Sequence, residues 1–178
     1  MKKLWPDWYF ESFTRIPDGF FEKNGFSYLI SDIDNTLVSY DDPIPTKSAL
    51  AFFEQLDKEG VTLLLVSNNE RERVELFCKD LPYPWVSKAA KPSVSRIRTM
   101  LTKEGTDLSR CAFLGDQLFT DCLAARRLGV PMILLNPVAG DGGLPFFTVK
   151  RSLEKAILKG YLKQHPLNSA DGKRGSTL

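Results

Sequence analysis

The chain has 178 residues, 43% hydrophobic and 26% charged, with a formal net charge of +2 at pH 7. That length suits one domain with a substantial core, the composition is that of a soluble globular protein, and the near balance of charge gives no case for a nucleic-acid partner. Three cysteines, Cys78, Cys111 and Cys122, none in a Cys-x-x-Cys pair, argue against a disulfide framework or a zinc site and fit a reducing compartment.

The first 28 residues gather Trp5, Trp8, Tyr9, Phe10, Phe13, Phe20, Phe21, Phe26 and Tyr28. Two readings stand: a hydrophobic arm packed on the rest of the domain, or an aromatic surface at a bilayer interface. Asp7 and Glu11 interrupt the start, so it lacks the apolar region of a signal peptide. No later run approaches the ~20 apolar residues of a membrane span. A cytoplasmic location is expected, peripheral to the membrane if that surface is used.

Four short, nearly continuous apolar runs then read as strands covered on both faces: "SYLISDI" (27–33), "VTLLLVS" (61–67), "RCAFLGD" (110–116) and "VPMILLN" (130–136). Helical spacing occupies the intervals, in "TKSALAFFEQLDKEG", "NERERVELFCKDL", "PSVSRIRTMLTKEG" and "FTDCLAARRLG". Gly60, Gly105 and Gly129 mark three of the helix ends. Alternation of this kind predicts a doubly wound, mostly parallel α/β sheet flanked by helices.

Past the last strand, "NPVAGDGGLPFF" (136–147) reads as a flexible connection that could gate a site; it lacks the signature of a nucleotide-binding P-loop. A basic helix follows, with Arg151, Lys155, Lys159 and Lys163 four residues apart and Leu153, Ala156, Ile157 and Tyr161 assigned to another face. The basic row is either a solvated face or a contact for an anionic membrane, each charge then contributing roughly 1 kcal/mol. Residues 1–165 are thus expected to form one domain, and the polar residues 166–178 a disordered tail.

In open parallel sheets, ligands sit beyond the carboxyl ends of the strands. Those ends carry "DIDNT" (32–36), "SNN" (67–69) and "GDQLFTD" (115–121), while "KP" (91–92) follows a short proline-rich connection. Taken in this order they resemble the four motifs of the haloacid dehalogenase superfamily over roughly residues 27–136. Without a cap domain the wording is most similar to subfamily IIIA and its YqeG-type group, relatives of the phosphatidylglycerophosphate phosphatases. Arg126 departs from that group, where a residue such as Asn is expected, but it lies outside the motifs.

The resemblance implies a Mg²⁺-dependent phosphomonoester hydrolase with Asp32 as nucleophile and Asp34 as general acid and base. It implies metal ligation by Asp32, the backbone carbonyl of Asp34, and Asp116. Ser67 and Lys91 would contact the phosphoryl group, with Asp121 orienting the lysine or supporting the metal. Asn35, Thr36 and Asn68 would support the phosphate and its loop.

Each residue type has a chemical reason. An aspartate nucleophile divides one slow hydrolysis into two easier steps. Two carboxylates crowded together let one keep a proton, and that role is assigned to Asp34. Mg²⁺ takes one or two carboxylates together with substrate oxygens. Lys88, three residues before Lys91, is an alternative cation.

Only 32 residues separate Asp34 from Ser67, and 23 separate Ser67 from Lys91. Neither interval has room for an inserted cap, so the site is expected to be open. It would suit a phosphate carried on something large, such as phosphatidylglycerophosphate, or a site completed by a second subunit. The alternatives are a nucleotide or sugar phosphatase and a non-catalytic module that binds a partner. A dehalogenase is disfavoured because Asp34 supplies acid–base chemistry that halide displacement does not need.

Overall fold

A computed structural model describes residues 4–138 and 145–164, with side chains from 152 onward in the second segment. Six parallel strands form one sheet: β1 (Trp8–Phe10), β2 (Tyr28–Asp32), β3 (Thr62–Val66), β4 (Trp85–Val86), β5 (Cys111–Gly115) and β6 (Met132–Leu135). Their order across the sheet is β1-β6-β5-β2-β3-β4. β2 lies at the centre, with Leu29 beside Leu63 of β3 and Ala112 of β5. The four strands expected from the apolar runs all form.

Side-chain alternation divides the core between the two faces. Leu29, Leu63, Leu65, Ala112, Leu114 and Ile133 meet Phe52, Phe53 and Leu56 of α2 (Lys47–Lys58) and Val74 and Phe77 of α3 (Arg71–Cys78). Between β1 and β2, α1 is the single turn Phe20–Lys23. On the other face, Ile30, Leu64, Val66, Phe113 and Met132 meet Ile97, Met100 and Leu101 of α4 (Ser95–Lys103) and Ala124, Ala125 and Leu128 of α5 (Leu123–Leu128). Strands buried on both faces explain why their sequences do not alternate.

The aromatic arm belongs to this core. Trp8, Tyr9, Phe10, Phe13, Phe20, Phe21 and Phe26 are all buried. Trp8 and Phe10 point to one face and Tyr9 to the other, as a strand's period of two requires. Trp8 meets Phe20 and Phe26 edge to face at 5.5 and 5.7 Å, a preferred geometry for aromatic pairs. These rings are therefore not a bilayer surface.

Asp7 pins the arm by accepting from the Met132 N–H at 2.8 Å and pairing with Arg126 Nη1 at 2.9 Å. Arg126 also donates to the Trp5 carbonyl. That pair of contacts is the structural use of the arginine that departs from the YqeG-type pattern.

The basic helix is α6 (Pro145–Gln164). Its inward side is formed by Glu154 and Tyr161, both buried, with Ile157, Leu158 and Leu162 packed beside them. Lys155, Lys159 and Lys163 are exposed, as expected. Leu153 is 56% exposed and Ala156 is also outside, so the inner face is rotated from the one assigned by sequence. Half of the glycine-rich connection and the whole 166–178 tail lie outside the described residues, as does the Arg151 side chain. Among the described residues, no helix is long and apolar enough to cross a membrane.

Candidate active site

β2 ends at Asp32, and the chain folds at once into a tight loop. The N–H groups of Thr36, Leu37 and Val38 all point to the Ile33 carbonyl, and the Asn35 N–H donates to the Val38 carbonyl at 2.7 Å. Asn35 takes the left-handed conformation, φ 62°, which Asn tolerates better than most residues. Its carbonyl accepts from the Val138 N–H at 2.8 Å, joining this loop to the segment after β6. Its buried Oδ1 has no hydrogen-bond partner among the described residues. Thr36 is fully buried, its Oγ1 lying 3.4 Å from both Asp32 Oδ2 and Asp116 Oδ1.

β3 ends one residue before Ser67, and the chain returns to the sheet edge at Lys91. The Asn68 side chain joins the two segments: its Oδ1 accepts from the Lys91 N–H at 2.7 Å and its Nδ2 donates to the Lys91 carbonyl at 3.1 Å. Lys91 precedes a cis proline, Pro92. Its Nζ lies 2.6 Å from Asp32 Oδ1 and 2.8 Å from Asp121 Oδ1, with only 2% of the side chain exposed. Lys88 turns outward to Glu70, so the alternative cation is not at the site.

β5 delivers Asp116, and the next turn returns Asp121. The stretch read as one helix divides here into a wide π-helical turn, Leu118–Cys122, followed by α5. The Gln117 N–H donates to Asp121 Oδ2 at 3.0 Å. A Cβ at Gly115 would lie 2.6 Å from the Asp121 side chain, so the close return of that aspartate requires glycine at this position.

Asp32, Asp116 and Asp121 are buried with ligand oxygens within 4.8 Å of one another. Burial pushes the Asp32 carboxyl well above its ordinary value of 3.8; Lys91 opposes the rise, while Asp121 and Asp116 add to it. Burial alone would lower Lys91, but Asp121 and Asp32 hold it above its usual value, so its ammonium stays charged. Among the described residues, three buried carboxyl groups thus gather beside one lysine ammonium. Clustered carboxylate oxygens of this kind fit a hard divalent cation.

Asp34 has a different set of neighbours. Its Oδ2 accepts from Ser67 Oγ at 3.0 Å and lies 3.5 Å from Asn69 Nδ2. Its Oδ1 faces Arg73 Nη2 at 3.0 Å, an ion pair without the alignment of a hydrogen bond. The expected crowding of Asp32 against Asp34 is thus corrected: the like charges that act on Asp32 are Asp121 and Asp116. The carboxyl of Asp34 turns towards the start of α3.

Arg73 is the residue that sequence reading missed, because "NERER" reads as an ordinary solvated helix face. One signal was available. Arg71 and Arg73 occupy the first turn of α3, where the helix dipole disfavours cations, so a positive charge there calls for a local anion.

The site thus joins Asp32, Thr36, Lys91, Asp116 and Asp121 around one buried cluster and places Asp34 and Ser67 beside it. Residues 5–129 match the haloacid dehalogenase-like hydrolase family. A protein from Bacillus subtilis (strain 168) named "Probable phosphatase YqeG" is 34% identical over 160 residues, covering 89% of this chain and 92% of the relative. The crystal structure of an uncharacterized protein from Listeria monocytogenes serotype 4b has a TM-score of 0.54 at 18% identity, over 67% of this chain and 85% of that one. That likeness concerns the fold alone. With the family matched over most of its length and a relative aligned nearly end to end, the chain belongs to the haloacid dehalogenase-like hydrolases, among the YqeG-type phosphatases.

Proposed function

We propose that this chain hydrolyses phosphomonoesters through an aspartyl-phosphate on Asp32, with Mg²⁺ as cofactor. The observation that supports this reading best is the buried Lys91 between Asp32 and Asp121, with Asp116 beside them at the carboxyl edge of the sheet. Asp32, Asp116 and the Asp34 carbonyl would hold the metal, which when bound supplies positive charge to neutralise the carboxylates and the phosphoryl oxygens.

In the first step an Asp32 carboxylate oxygen bonds to phosphorus and the ester P–O bond breaks. Asp34, having taken up a proton from solvent as the substrate binds, gives it to the leaving oxygen, releasing the alcohol. In the second, water attacks the phosphorus of the aspartyl-phosphate, Asp34 takes a proton from that water, and Asp32 is restored with release of phosphate. Lys91 and the Ser67 hydroxyl orient the phosphoryl oxygens in both steps. Asn68 positions Lys91 through its backbone, and Asn35 and Thr36 hold the loop.

The described connections 33–46 and 67–94 carry no inserted domain that would close over the site. An open site favours a phosphate presented on a large carrier, and the family resemblance makes phosphatidylglycerophosphate the substrate to test first. The exposed row Lys155, Lys159 and Lys163 supports peripheral contact with an anionic membrane on the cytoplasmic side. The aromatic arm, being core, does not add to that support.

The test is Mg²⁺-dependent phosphate release by wild type and Asp32→Asn, on an aryl phosphate and on phosphatidylglycerophosphate in mixed micelles. Asp32-dependent release that prefers the lipid is expected. Release confined to the aryl ester, or to nucleotide or sugar phosphates in a wider panel, would retain the chemistry and reject the lipid. Equal release by Asp32→Asn would reject the nucleophile.

A further inference from the structure

We infer that Arg73 is a positioning residue for Asp34, fixing the carboxyl that moves the proton at the leaving oxygen. The inference rests on the phosphomonoesterase reading above.

Three contacts define its place. Arg73 Nη2 lies 3.0 Å from Asp34 Oδ1 and donates to the Asp42 carbonyl at 2.6 Å, while Nη1 donates to the Pro43 carbonyl at 3.0 Å. The guanidinium carbon lies 5.9 Å from the centre of the Phe77 ring in the core. The side chain is 16% exposed, so this is a largely enclosed strut, unlike the surface pair Arg71–Glu75 two residues earlier.

A planar guanidinium held at several points fixes orientation in a way that a flexible ammonium does not. Here it joins α3, the loop after β2 and the carboxyl of Asp34. With Oδ1 facing Arg73, Oδ2 is left on the side of Ser67. When a phosphoryl group draws the Ser67 hydroxyl away, Oδ2 is free to take up a proton from solvent, delivers it to the departing alkoxide and later receives one from water. Losing Arg73 frees the carboxyl to rotate, while leaving Asp32, Lys91, Asp116 and Asp121 in place.

Leaving-group dependence separates this role from general structural damage. Departure of p-nitrophenolate needs little help from an acid, whereas departure of phenolate gains from protonation, and kcat/KM covers the steps up to departure. Wild type, Arg73→Ala, Arg73→Gln, Arg73→Lys, Asp34→Asn and Asp34→Asn/Arg73→Ala are assayed on p-nitrophenyl phosphate and phenyl phosphate, with thermal melts of each. General acid catalysis is worth ~10²–10⁴-fold, so a displaced acid should lose at least ~10-fold more kcat/KM on phenyl phosphate than on p-nitrophenyl phosphate.

Arg73→Ala and Arg73→Gln should show that selective loss, Arg73→Lys should recover part of it, and Arg73→Ala should add little to Asp34→Asn. Equal losses on both esters, losses that add fully in the double variant, or a raised KM with unchanged kcat would each overturn the assignment. Turnover that survives Asp32→Asn, or is absent from wild type, would reject the phosphomonoesterase reading itself and Arg73's role with it.

Discussion

Lys91 is buried with one carboxylate on either side, an arrangement that is costly to form and more costly to break. Removing one partner of a buried ion pair leaves uncompensated charge. Lys91→Met should therefore lower stability by about 3–5 kcal/mol at pH 7, and by less near pH 5, where protons can neutralise the exposed need for a cation. Denaturant unfolding at both pH values checks this; an equal loss at both would contradict it. Asp32 and Asp116 were legible because each stands at the end of an apolar strand, and Lys91 and Asp121 because their motifs complete the family pattern. The orientation of Asp34 was not legible. Asp32 and Asp34 stand one residue apart, which suggested two crowded carboxyls, but the chain leaves the strand at Ile33 and the loop turns Asp34 towards Arg73.

Among the elements, α6 bears on the site through Glu154. Glu154 is buried and its Oε1 accepts from the Phe119 N–H at 3.1 Å, in the turn that returns Asp121. An unsatisfied buried amide costs about 1–3 kcal/mol. Glu154→Ala should lower stability by that order and reduce phosphate release, whereas Lys159→Glu on the exposed side should change stability by no more than ~0.5 kcal/mol. Hydrogen exchange at the Phe119 amide would show whether the turn loosens; unchanged protection would sink the prediction. The four long strands could be read from continuous apolar runs. β1 and β4, with three and two residues, are too short to form such a run. The inner face of α6 was misassigned because an apolar count put Leu153 inside, while Glu154 goes in because it has an amide to satisfy.

For the molecule as a whole, the acidic centre makes stability depend on pH and metal together. Asp32 is raised in the folded state, so its contribution to stability is fully present below the unfolded value near 3.8 and is lost as pH rises through the folded value. At neutral pH the metal-free fold therefore carries a penalty that Mg²⁺ should relieve. Saturation at 100 times the dissociation constant stabilises by about 2.7 kcal/mol. Thermal melts should rise with Mg²⁺ and fall back with a chelator, the increment being larger at pH 7 than at pH 5, where protons compete for Asp32. The same increment in Asp32→Asn as in wild type would place the ion elsewhere.

The pairing of β1 with β6 also sets an order of events during synthesis. Trp8 aligns with Ile133 and Phe10 with Leu135, a separation of 125 residues. Chains emerge from the ribosome N-terminus first, so the aromatic segment leaves the tunnel long before its partner strand exists. Until residue 135 has been made, β1 has no strand to pair with, and a nascent or truncated chain presents apolar surface that the finished protein conceals. Molecular chaperones should therefore engage the aromatic segment while it waits, and release it only when β6 arrives.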